Sequence, residues 1–95
     1  MLYLVHTHIT IPVGTDAALI ERLRASEKEH SHKLQSEGKC RHIWRETGKT
    51  ASYAVFDVES HDALHALLTS FPLYSFMTTL DITPLSQHPA AIAKN

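Results

Sequence analysis

An α+β fold, in which a four-stranded antiparallel sheet carries two helices on one face, is the architecture this 95-residue sequence predicts. Three observations lead there. Four segments are rich in β-branched and aromatic residues and alternate with a period near two. Two others repeat apolar residues at helical spacing. The six fall in the order β-α-β-β-α-β.

Residues 2–11, Leu-Tyr-Leu-Val-His-Thr-His-Ile-Thr-Ile, read as the first strand. Met1, Tyr3, Val5, Thr7, Ile9 and Ile11 share one face, and Leu2, Leu4, His6, His8 and Thr10 the other. Pro12, Gly14, Thr15 and Asp16 break the strand, and Thr15 or Asp16 is suited to cap a helix. That helix is expected from about Asp16 to Glu37, ended by Gly38. Its apolar stripe opens with Leu19, Ile20 and Leu23 and then changes character. Ser26 or Glu27 comes next, then His30 or Ser31, and only then Leu34. Residues 23, 27, 30 and 34 step by three and four along one face. A carboxylate and an imidazole are thus expected between two leucines, on the side turned to the sheet.

Residues 39–47 and 50–58 predict a hairpin turning at Thr47-Gly48-Lys49. Its first arm alternates Cys40, His42, Trp44 and Glu46 against Arg41, Ile43 and Arg45. Its second alternates Ser52, Ala54, Phe56 and Val58 against Ala51, Tyr53, Val55 and Asp57. Ser60 fits the N-cap of a short helix over 61–70 with a Leu64, Leu67, Leu68 stripe, ended by Phe71-Pro72. A last strand is expected at about 75–84, and residues 86–95 form a tail. This is the ferredoxin-like arrangement, a single domain over 1–95. Its helices cover one sheet face only, so the other, carrying Leu, Val and Tyr, is expected to be buried in a homo-oligomer.

Composition narrows the function. Nine Lys+Arg against ten Asp+Glu give a net charge of -1 with no basic stripe, which argues against nucleic acid. No apolar run approaches the ~18 residues of a membrane span. No secretory signal is evident and the single cysteine, Cys40, suits a reducing compartment, so a cytoplasmic location is expected. His6-x-His8 and His61-x-x-x-His65 lack a converging third ligand, so no metal is expected. Cys40 with His42 is a weak nucleophile pair, and three dispersed glycines make no phosphate loop.

The strongest catalytic candidates are Glu27 and His30. A carboxylate held under a helix against a sheet loses water, and its pKa rises toward that of a useful base. The plain alternative is a helix overrunning the sheet, with Glu27 in solvent. Arg41 and Arg45, two residues either side of Ile43, could clamp a carboxylate; the alternative is an ordinary solvated strand face.

One ordered set of residues resembles a known family. Leu34-Gln35, Gly38-Lys39, Arg41-His42, Trp44-Arg45 and Gly48 are followed by Phe56-Asp57-Val58-Glu59-Ser60. Leu64-His65, Leu67-Leu68, Pro72-Leu73, Thr83-Pro84-Leu85 and His88-Pro89 complete it. Together they resemble the muconolactone delta-isomerase family of the catechol ortho-cleavage route. The resemblance implies a ferredoxin-like subunit, a ring-like homodecamer, no cofactor, and a small lactone as substrate. It implies that H4 is removed from a butenolide bearing an acetate arm and a proton is delivered at C2, with Glu27 as base and Arg41 or Arg45 on the acetate. The chain departs from the family where Tyr-Ala-Asn-Tyr-Ser is usual and Thr50-Ala51-Ser52-Tyr53-Ala54 stands, and where Cys40 replaces a Trp. Thr50, Ser52 and Ala54 share a strand face, so a widened substrate pocket is expected. That favours the dehalogenase branch of the family, in which H4 removal expels chloride from C5 of 5-chloromuconolactone to give a dienelactone. Plain isomerisation to the enol-lactone is the alternative, and a non-catalytic binding module the second.

Overall fold

The computed structural model describes residues 1–92. Its elements are β1 (Leu2–Ile9), α1 (Ala17–Ser36), β2 (Cys40–Arg45), β3 (Ala51–Asp57), α2 (His61–Thr69), a 3-10 turn (Tyr74–Phe76) and β4 (Met77–Leu85). The sheet order is β2-β3-β1-β4, antiparallel throughout. This is the ferredoxin-like order. Strand β1, one of the two central strands, contributes the two most buried large side chains, Tyr3 and Val5. Leu34 of α1, Phe56 of β3 and Leu64 and Leu68 of α2 pack around them.

The caps follow the residue chemistry. Asp16 accepts from the Ala18 N–H at the start of α1, and Ser60 from the Ala63 N–H at the start of α2. Gly38 follows α1 at φ +76°, and Gly48 sits in the β2–β3 turn at φ +79°, in the left-handed region that favours glycine.

Three expectations need correction. First, β1 stops at Ile9 rather than Ile11. Its register against β4 shifts between His8 and Ile9, and the Thr10 N–H reaches the Phe76 carbonyl just before the Pro12 break. Second, residues 74–76 form a 3-10 turn where a strand was expected from 75. After Pro72 the Tyr74 N–H closes onto Phe71 and the Phe76 N–H onto Leu73, both at 2.9 Å. Third, β2 does not alternate regularly. Cys40 pairs with Phe56 but His42 with Val55, so Arg41 is an inserted bulge residue. The bulge inverts the alternation: Cys40 and Ile43 both lie on the helix-covered face, and Arg41 no longer shares a face with Ile43 and Arg45.

Neither helix covers the opposite sheet face. There Leu4 lies across from Val55 and His6 across from Tyr53, with Trp44 beside Tyr53 on β2. His6 stacks on Tyr53 with ring centroids 4.2 Å apart and meets Glu46 at 2.8 Å. The Trp44 side is open, that residue being 54% exposed. Of the tail, residues 86–92 form neither helix nor strand, and 93–95 lie outside the described residues.

Candidate active site

A cavity of about 150 Å³ lies between the middle of helix α1 and the sheet. Val5 and Thr7 of β1 and Ser52, Ala54 and Phe56 of β3 form its floor, Glu27 and Ser31 of α1 its roof, and Phe71 and Met77 its end. Glu27 is the one titratable residue lining it among the described residues. Burial pushes the Glu27 carboxyl above its ordinary value, and a hydrogen bond from the Leu73 N–H to Oε1, at 3.3 Å, offsets part of that rise. Across the floor the Thr7 and Ser52 hydroxyls meet at 3.1 Å, and either can donate.

The cavity adjoins a wider groove of about 550 Å³ that shares Ile9 and Ser52 with it. Arg24, Arg45 and Lys49 bring positive charge to this groove. Lys49 is bound to Glu46 at 2.6 Å, whereas Arg24 and Arg45 make no ion pair among the described residues. An apolar chamber with one carboxylate, beside a groove with two available guanidinium groups, can bind a small anion by its charged end and expose its carbon framework to a base.

The predicted residues distribute unevenly. Glu27, Ser52 and Ala54 line the cavity, and Arg45 the groove. Thr50 lies in the groove rather than the cavity and bonds the Ile9 carbonyl at 3.1 Å and His8 Nε2 at 3.2 Å. Arg41 is turned to the other end of the sheet, where it binds Asp57 at 2.6 Å; the bulge separates it from Arg45. His30 lies between the two helices, with Nε2 3.2 Å from Ser70 Oγ and its ring against the edge of Phe71. Position 31, four residues past Glu27, stays on the sheet-facing line, while position 30 is rotated toward α2.

Sequence reasoning missed Arg24, Thr7 and the Leu73 N–H, and named Ser31 only as the alternative to His30 on the helical stripe. Arg24 precedes Glu27 by three residues and Ser31 follows it by four, so helical spacing alone carried that signal. Thr7 follows once β1 and β3 are registered, since it pairs with Ser52. The Leu73 contact spans 46 positions and has no local signature.

Fold and site together define a ferredoxin-like enzyme with a carboxylate-roofed cavity beside arginines. The family model described as muconolactone delta-isomerase matches residues 1–91. The chain is 44% identical over 92 residues to the muconolactone delta-isomerase of Pseudomonas aeruginosa, covering 97% of this chain and 95% of that one. It is 42% identical to that of Cupriavidus pinatubonensis, covering 97% and 99%. The structure matches a crystal structure of muconolactone isomerase at a TM-score of 0.93 and 41% identity, covering 100% of this chain and 98% of that one. The chain belongs to the muconolactone delta-isomerase family, and it is an enzyme of that family. A looser match, TM-score 0.66 at 17% identity over 93% and 96% of the two chains, is to a 5-chloro-2-hydroxyhydroquinone dehydrochlorinase of Burkholderia phenoliruptrix; at that identity the likeness is one of fold. No helix is long and apolar enough to cross a membrane among the described residues.

Proposed function

We propose that the protein isomerises muconolactone to 3-oxoadipate enol-lactone in the cytoplasm, as a cofactor-free homo-oligomer. The carrying observation is the half-buried Glu27 carboxylate, the one titratable group lining the cavity among the described residues. Glu27 takes H4, a hydrogen made acidic through the conjugated double bond and lactone carbonyl. The electron pair spreads over the ring onto the carbonyl oxygen, where a Thr7 or Ser52 hydroxyl can donate a hydrogen bond. A proton returned at C2 completes the shift, and atoms balance without any co-reactant. The acetate arm extends into the groove toward Arg45 and Arg24, which fix the ring under Glu27.

The other outcome of the same proton removal, loss of chloride from 5-chloromuconolactone, draws on the small Ser52 and Ala54 side chains in the cavity wall. Thr50, part of that reasoning, lies outside the cavity. The curated relatives named above are isomerases, which favours isomerisation. Offering the protein muconolactone and its 5-chloro analogue separately, with ultraviolet absorbance and released chloride as readouts, tests both. Enol-lactone formation faster than chloride release is expected. The reverse order makes the protein a dehalogenase, and turnover of neither leaves a binding module.

A further inference from the structure

We propose that His30 is a positioning residue for this reaction: by holding Ser70 and Phe71 it fixes the turn whose Leu73 N–H meets the Glu27 carboxylate. The inference rests on Glu27 being the base. Its ground is a second grip by α1 on one segment. Ser70 donates its only hydroxyl hydrogen to the Leu67 carbonyl at 2.6 Å, so its oxygen must accept from His30 Nε2–H at 3.2 Å. That bond exists in the neutral Nε2–H tautomer and in the protonated ring alike. The His30 ring also meets Phe71 edge-on, centroids 4.7 Å apart at 88°.

Phe71 closes the end of the Glu27 cavity and packs on Phe56. Pro72 restricts the next backbone torsion. Leu73 follows, 5% exposed, with its N–H on Glu27 and its carbonyl accepting from Phe76. Glu27 and His30, three residues apart on α1, therefore hold residues 70–73 at both ends. His30 itself lines a separate groove between the helices, not the cavity, so it does not touch the reacting atoms. The charged groups lining that groove with it are Lys33 and Glu37 of α1, Lys39 before β2, Asp57 at the end of β3 and Glu59 before α2. None of them makes an ion pair with His30 among the described residues.

Steady-state kinetics of the intact oligomer against pH, for His30→Ala, His30→Gln and Ser70→Ala, test this. His30→Ala should lower kcat by about 3- to 10-fold, the scale of one lost hydrogen bond, with little change in KM. It should also move the acid limb of kcat/KM to higher pH, because Glu27 loses an N–H that favours its ionised form. His30→Gln, which restores a donor, should recover most of both effects, and Ser70→Ala should reproduce them weakly. Infrared titration of the carboxyl of 13C-labelled Glu27 should show the same upward move without reference to turnover. An unmoved Glu27 titration in His30→Ala overturns the inference, as does a His30→Gln variant as impaired as His30→Ala. Wild-type turnover in Glu27→Gln would instead remove the functional reading, and the infrared titration would still decide what His30 does.

Discussion

At position 27 a carboxylate shares a cavity with Val5, Ala54 and Phe56, whose side chains offer it no hydrogen bond, and burial disfavours its charged form relative to water. The consequence for stability has a definite sign. The folded protein holds the Glu27 proton to higher pH than the unfolded chain does, so this residue's contribution is fully present below the unfolded pKa. It is lost as pH rises through the raised folded value. Activity runs the other way and should rise through that same window as the base ionises. Glu27→Gln keeps the shape and removes proton acceptance, so turnover should fall by at least ~100-fold while thermal stability at neutral pH holds or rises. Asp57 has the opposite sign: partial burial raises its carboxyl, but hydrogen bonds from the N-terminal amine and Arg41 outweigh this and leave it below its ordinary value. Its contribution is present above the unfolded pKa and lost as pH falls through the folded one. Arg41→Ala should therefore weaken stability at pH above the ordinary carboxylate range, with the difference from wild type shrinking in acid, and leave KM near wild type, whereas Arg45→Ala should raise KM by about 10-fold or more, the scale of a charge-assisted hydrogen bond. Equal KM effects of the two substitutions would contradict the groove assignment. Glu27 was legible from the sequence because helical spacing is a local property. The separation of Arg41 from Arg45 was not, because it depends on which residue of β3 each faces.

The elements show where such local reasoning stops. The order of strands and helices, both N-caps and the Gly48 turn follow from patterning and side-chain chemistry, and the structure has them where that chemistry puts them. The bulge in β2 is different. Nothing in Cys40-Arg41-His42 marks an inserted residue, yet it carries Ile43 onto the cavity side and Arg41 away from Arg45. The 3-10 turn after α2 is likewise set by where Phe71 and Leu73 must pack, not by the β-favouring residues Tyr74 and Phe76. Because α2 leads directly into the segment that touches Glu27, its start matters to the site. Ser60→Ala removes the acceptor for the Ala63 N–H and should destabilise the protein by ~1 kcal/mol in denaturant melts. An unchanged melt would mean that tertiary packing alone sets that helix start.

For the whole molecule, the uncovered sheet face is the feature a single subunit does not account for. Leu4, Val55, Tyr53 and Trp44 form an apolar strip there, with His6, Glu46 and Asp81 beside it. A second copy is the occupant the family reading supplies, and light scattering should return a mass well above one chain. Leu4→Glu, which sets a charge at the centre of the strip opposite Val55, should lower that mass; a wild-type protein already monomeric at micromolar concentration would contradict the oligomer. Whatever covers that face, the proposed chemistry depends on one proton. Following muconolactone by proton NMR in deuterated buffer reads that proton directly. With the wild-type protein, the H4 signal should disappear at the rate the enol-lactone forms; with Glu27→Gln, neither loss of H4 nor product should exceed the uncatalysed background. Loss of H4 at the wild-type rate in Glu27→Gln would contradict the account.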